Sequence, residues 1–125
     1  MHTEQTQHMI KQFEDLKIRV RRFADDRDWD QFHTPKNLAM ALIVEAAELV
    51  EHFQWLTAEE SQSLAADKKA EVGMELADIL VYLVRIADKL DIDLHSAALE
   101  KLQRNTEKYP AGQVKGKSRK YNEYP

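Results

Sequence analysis

The stretch TPKNLAMALIVEAAELVEHFQW, from Thr34 to Trp55, decides the fold. It opens on a threonine followed by proline, a hydroxyl that caps a helix N-terminus and a ring that suits its first turn. Leu38, Ala41, Leu42 and Leu49 then recur at the three- and four-residue spacing of one helical face. On a wheel of roughly 100° per residue, Glu45 falls inside that apolar stripe. Glu48 lies at its edge, one turn along, so the two carboxylates reach one point. The spacing predicts a helix capped by Thr34 and running to about Trp55.

A second stretch repeats the arrangement. Thr57-Ala58-Glu59-Glu60 is a capping box, and after a break near residues 64–67 the periodicity predicts a long helix to about Leu90. Glu75 is flanked there by Val72, Ile79 and Ile86. Asp78 lies one turn on, with Glu71 and Tyr82 on the same strip. Burying an unpaired carboxylate is costly, and four together repel one another and raise their own pKa values. A single Glu-x-x-Glu is usually a solvated or ion-paired face, and Lys68, Lys69, Arg85 and Lys89 are available partners. Two such pairs, each in the apolar stripe of a helix, point instead to a shared cation. Oxygen ligands without cysteine suit Mg²⁺, with Mn²⁺ as a substitute. Di-iron bundles use Glu-x-x-His pairs. Here both pairs end in an acid, and His52 follows Glu48 by four residues, not three.

The rest of the chain frames these helices. Its 125 residues are one domain by length, and a chain this small often gains from oligomerising. A formal charge of −4 argues against binding a nucleic-acid polymer. The lack of cysteine removes disulfide and thiolate chemistry and suits a cytoplasmic protein. No apolar run approaches the roughly 18 residues of a membrane span, and the first residues lack the apolar core of a signal peptide. Three glycines and three prolines favour helices. A first helix is expected over about residues 3–26, then a polar break around Trp29. Asp93 caps a last helix that Tyr109-Pro110 ends near Lys108. The expected fold is all-α and four-helix-bundle-like. Residues 1–110 form the helical domain, and 111–125 a basic tail that is flexible or folds over an active site.

Glu45-x-x-Glu48, a 26-residue gap and Glu75-x-x-Asp78 resemble the signature of the MazG-like all-α nucleoside triphosphate pyrophosphohydrolases. Trp29, Phe32-His33, Pro35-Lys36-Asn37-Leu38, Phe53-Gln54-Trp55, Lys101, Asn105, Lys108-Tyr109-Pro110 and Ser118-Arg119-Lys120-Tyr121 are similar to the dCTP pyrophosphatase branch. The resemblance spans about residues 10–122. One departure is Val44, where the superfamily often has an acid; it leaves open the metal count and the carboxylate that acts as base. The resemblance implies cleavage of a dNTP, dCTP or a modified dCTP first, between the α and β phosphates, in nucleotide-pool house-cleaning. It implies Mg²⁺ on Glu45, Glu48, Glu75 and Asp78 and a homotetramer built as a dimer of dimers; a glutamate of the first pair, Glu45 or Glu48, is the expected catalytic base.

The substrate-binding candidates follow. Trp29 and Trp55 can stack a base, although packing is the common fate of aromatics; Phe32 reads as a packing residue. His33 can contact base or sugar, whereas His2, His8, His52 and His95 read as surface or packing groups. Lys36 sits in a first helical turn, where the helix dipole disfavours a cation, a hint of an anionic partner. Asn37 follows it. Tyr82 can crowd the 2′ position of the sugar. Lys101, Asn105 and Lys108 share one helix face suited to outer phosphates. By resemblance Tyr109 and Lys120 join the substrate contacts, and Lys117, Arg119, Lys120 and Tyr121 can close over a site, including a neighbouring subunit's. Leu76, Leu80 and Leu83 offer an apolar face for assembly. The rival reading is a non-catalytic helical interaction or regulatory module.

Overall fold

The computed structural model describes residues 3–118, and all regular structure among them is helical. Helix α1 (Glu4–Asp26) begins where the Thr3 hydroxyl accepts from the Thr6 amide. It ends in a Schellman turn. The Trp29 amide donates to the Ala24 carbonyl at 2.9 Å and the Asp28 amide to Asp25 at 3.1 Å, with Asp28 at φ 55°. Aspartate tolerates this left-handed conformation better than most residues. A single 3₁₀ turn, Asp30–Phe32, leads to helix α2 (Pro35–Glu51). Its cap is the expected one, Thr34 accepting from the Asn37 amide at 3.1 Å.

Helix α2 stops at Glu51, four residues short of the expected Trp55. The amides of His52 and Phe53 turn back to Leu49 and Val50, a three-residue step that tightens the last turn. Helix α3 (Ala58–Ser61) carries the capping box in full, with Thr57 and Glu60 bonded reciprocally. Helix α4 (Ala66–Lys89) closes with a second Schellman turn, Ile92 to Ala87 at 2.8 Å, through Asp91 at φ 54°.

The chain divides into two compact units at Ile92 and Asp93. In the first, α4 packs against both α2 and α1. Its buried apolar residues are Ala24, Leu38, Val72, Val84 and Ala87, a small core. Arg21 braces it from the side, donating to both carboxylate oxygens of Asp88 at 2.6 and 2.8 Å. Large apolar side chains remain exposed on several helices, among them Met40, Ile43 and Val44 on α2 and Leu76, Leu80 and Leu83 on α4. The second unit holds helix α5 (Leu94–Lys108), capped by Asp93, and the short helix α6 (Ala111–Val114). No described helix is long and apolar enough to cross a membrane.

Candidate functional site

Packing α2 on α4 brings the acidic pairs together. One carboxylate oxygen from each of Glu45, Glu48 and Glu75 lies within 4.8 Å of the others, and all three side chains are half-buried. Glu45 Oε2 and Glu75 Oε2 are buried without a hydrogen-bond partner. Burial, then hydrogen bonding to Glu48 and the charges of Glu48 and Asp78, with a further bond to Glu75, push the Glu45 carboxyl up to about 7. The candidate basic partners go elsewhere. Lys68 pairs with Glu71 at 3.4 Å, while Arg85 and Lys89 both bind Asp30. Among the described residues no lysine or arginine pairs with the triplet. Converging carboxylates, two of which carry an unpartnered buried oxygen, fit a divalent metal ion.

Asp78 is exposed and lies outside the triplet, although its charge reaches Glu45. His52 is closer than the sequence reading placed it. Its Nε2 lies 3.7 Å from Glu75 Oε1, and Nδ1 is 4.0 Å from Glu71 Oε2. The signal was the four-residue step from Glu48, which puts both on one face of α2.

Glu45 and Asp78 also line a cavity of about 160 Å³, walled by Trp29, His33, Leu38, Tyr82 and Arg85 among others. A cavity of about 150 Å³ holds a benzene-sized ring, so this one has room for a single flat heterocycle. Trp29 enters from the Schellman turn after α1. The Phe23 ring meets it edge-on at 5.7 Å, and His33 lies tilted beside it at 6.3 Å. Leu38 of α2, 2% exposed, is a buried apolar member of that lining. The residue that sequence reasoning missed here is Arg85. It is not a partner of the motif acids but is buried against Asp30, Asp88 and His33.

Other candidates stand apart from this cavity's lining. Trp55 is 87% exposed in the turn after α2. Phe32, expected to pack, is also exposed, because the 3₁₀ turn presents it outside the core. Lys36 is exposed, and Asn37 donates its side-chain amide to the Phe32 carbonyl at 3.1 Å. In the second unit Lys101 and Lys108 are exposed on α5, and Asn105 and Tyr109 are half-buried. Lys108 lies over the Tyr109 ring at 5.6 Å. Arg119, Lys120 and Tyr121 lie outside the described residues.

A helical frame with acids from facing helices beside a ring-sized cavity defines a class, and the sequence profile of the MazG-like family matches residues 40–124. The chain belongs to that family. It is 43% identical to dCTP pyrophosphatase 1 of Homo sapiens over 114 residues, covering 90% of this chain and 67% of the human protein. The dCTP pyrophosphatase 1 of Bos taurus is 41% identical over the same length, covering 90% and 68%. A crystal structure of a pyrophosphatase from Archaeoglobus fulgidus is similar with a TM-score of 0.74 and 39% identity, covering 88% of this chain and 96% of that one.

Proposed function

We propose that this chain is a Mg²⁺-dependent nucleotide pyrophosphohydrolase. It hydrolyses a dNTP, dCTP or a modified dCTP first, between the α and β phosphates, giving dNMP and pyrophosphate. The observation that carries this is the shared wall: Glu45 belongs both to the orphaned carboxylate triplet and to the ring-sized cavity. A triphosphate chain continuing from a base in that cavity meets the acids at once. Glu45, Glu48 and Glu75, with Asp78, are the metal-holding residues, and Mn²⁺ is the expected substitute. When bound, the ion offsets the triphosphate charge and lowers the pKa of an attacking water. A glutamate of the first pair takes the water's proton. In the metal-free protein burial and the neighbouring acids raise the Glu45 carboxyl to about 7, so metal binding and its ionisation are linked.

Trp29 stacks the base, His33 hydrogen-bonds it, and Tyr82 crowds the sugar's 2′ position. Lys36, Asn37, Lys101, Asn105 and Lys108 are phosphate or sugar contacts on the strength of residue type and spacing, and Tyr109 and Lys120 on the strength of the family resemblance alone. Trp55, exposed in one chain, suits a substrate contact completed by assembly. The uncovered apolar faces of α2 and α4 support a homotetramer, with Ile43 66% exposed. Cytoplasmic residence, beside the nucleotide pool, belongs to the same proposal.

Product analysis tests it. Wild-type protein with Mg²⁺ is expected to turn dCTP into dCMP and pyrophosphate, faster than CTP, and to stop in EDTA. Formation of dCDP and phosphate would overturn the bond assignment. No turnover on any triphosphate by folded protein would favour the interaction module.

A further inference from the structure

The hydrolytic chemistry leaves one buried cation without a task. Arg85 lies three residues beyond Tyr82 on α4 and is 3% exposed. A buried guanidinium persists only where acceptors meet its donors. Nη2 donates to Asp30 Oδ1 at 2.6 Å and Nη1 to Asp88 Oδ2 at 3.4 Å. Both acceptors are themselves held. Asp30 also accepts from Lys89 at 2.8 Å, and Asp88 is clamped by Arg21. These bonds, to Lys89 first for Asp30 and to Arg21 first for Asp88, keep both carboxyls below their ordinary range. The fork is therefore fixed in place before any substrate arrives.

Its third contact is the informative one. Arg85 Nε donates to His33 Nδ1 at 3.2 Å. A guanidinium has N–H donors only and no acceptor. The histidine atom facing it must offer a lone pair, so the single proton of the neutral ring sits on Nε2. Burial, then the charge of Arg85, with Lys89 adding and Asp30 opposing, lower the His33 pKa and keep the ring neutral. Nε2 has no partner among the described residues, and His33 lines the cavity with Trp29 and Tyr82.

We propose that Arg85 is a positioning residue that fixes His33 as a neutral Nε2–H donor, and that this donor selects a base with an accepting edge. Cytosine presents an unprotonated N3, the atom that discriminates, since its O2 is shared with uracil and thymine. Uracil and thymine carry a proton on N3, which would face a donor with a donor. The inference rests on reading the cavity as the base slot, but the state of His33 is a property of the free protein.

Two measurements separate the claims. Imidazole ¹⁵N–¹H correlation of metal-free wild-type protein at pH 7.5, assigned with His33→Asn, is expected to show His33 protonated on Nε2 and bare on Nδ1. Protonation on Nδ1, or averaging between the tautomers, overturns the proposal. Arg85→Gln should lower the ratio of kcat/KM for dCTP over dUTP by about tenfold, the scale of one lost discriminating hydrogen bond. Arg85→Lys, which keeps charge but not the fork, should not restore it. An unchanged ratio in Arg85→Gln, or full recovery in Arg85→Lys, contradicts the role. Failure of wild-type protein to hydrolyse any triphosphate would instead strike the functional reading and leave the spectrum to judge His33.

Discussion

Metal binding to this site should release a proton, and Glu45 should supply it. Its carboxyl titrates near 7, because burial and the neighbouring Glu48, Asp78 and Glu75 oppose its charge. A carboxylate ligand must be ionised to bind. For one group with that pKa, the apparent dissociation constant for Mn²⁺ sits at its limit by pH 8. It is about twofold weaker at pH 7 and roughly tenfold weaker at pH 6. Mn²⁺ titrations followed by electron paramagnetic resonance give this profile on free protein, with no substrate present. Calorimetry in buffers of different ionisation enthalpy counts the proton directly. Glu45→Gln should weaken binding and flatten the profile over the same range. A wild-type affinity constant from pH 6 to 8, or an unchanged slope in Glu45→Gln, would refute the assignment.

The metal-free protein should also lose stability as pH rises from 6.5 to 8. The raised Glu45 pKa contributes stability below about 4.5 that is lost through about 7, by at most about 0.8 kcal/mol over this window. The lowered His33 pKa acts with the opposite sign but below 6.5. Thermal melts should show the loss, and saturating Mg²⁺ should abolish it; a rise in melting temperature over that window would contradict it. Leu38→Ala should destabilise the fold by about 2–5 kcal/mol in urea titrations, because Leu38 is among the few fully buried side chains of a small core. A loss below about 1 kcal/mol would mean the site collapses or Leu38 is not the keystone. Leu80→Glu places a charge on the uncovered α4 face, where Leu80 is 41% exposed. Sedimentation should show smaller species than wild type; identical species sizes would remove that face from the assembly.

Local signals made most of the fold legible. Thr34-Pro35, the Thr57–Glu60 box and Asp93 each cap a helix where the sequence placed one. The end of α2 was overrun because Glu51 to Trp55 keeps helical composition, and nothing in those letters announces the three-residue hydrogen bonds that stop it. The carboxylate triplet was legible because an acid inside an apolar stripe is expensive and the expense recurs on a second helix. Asp78 shows the limit of that logic. Its spacing matches Glu48, yet it is exposed and outside the triplet, a placement that depends on both helices and that one helix cannot encode. Arg85 was harder still. Its partners Asp30 and His33 lie 55 and 52 residues away in the chain, and only the packing of the 3₁₀ turn beside α4 joins them.

The most direct test of the central claim is pyrophosphate release from dCTP by wild-type protein and by Glu48→Gln, each with Mg²⁺ and with EDTA. The account predicts Mg²⁺-dependent release in wild type and its loss in a Glu48→Gln protein that melts cooperatively. Comparable release from Glu48→Gln, or release that persists in EDTA, would contradict it.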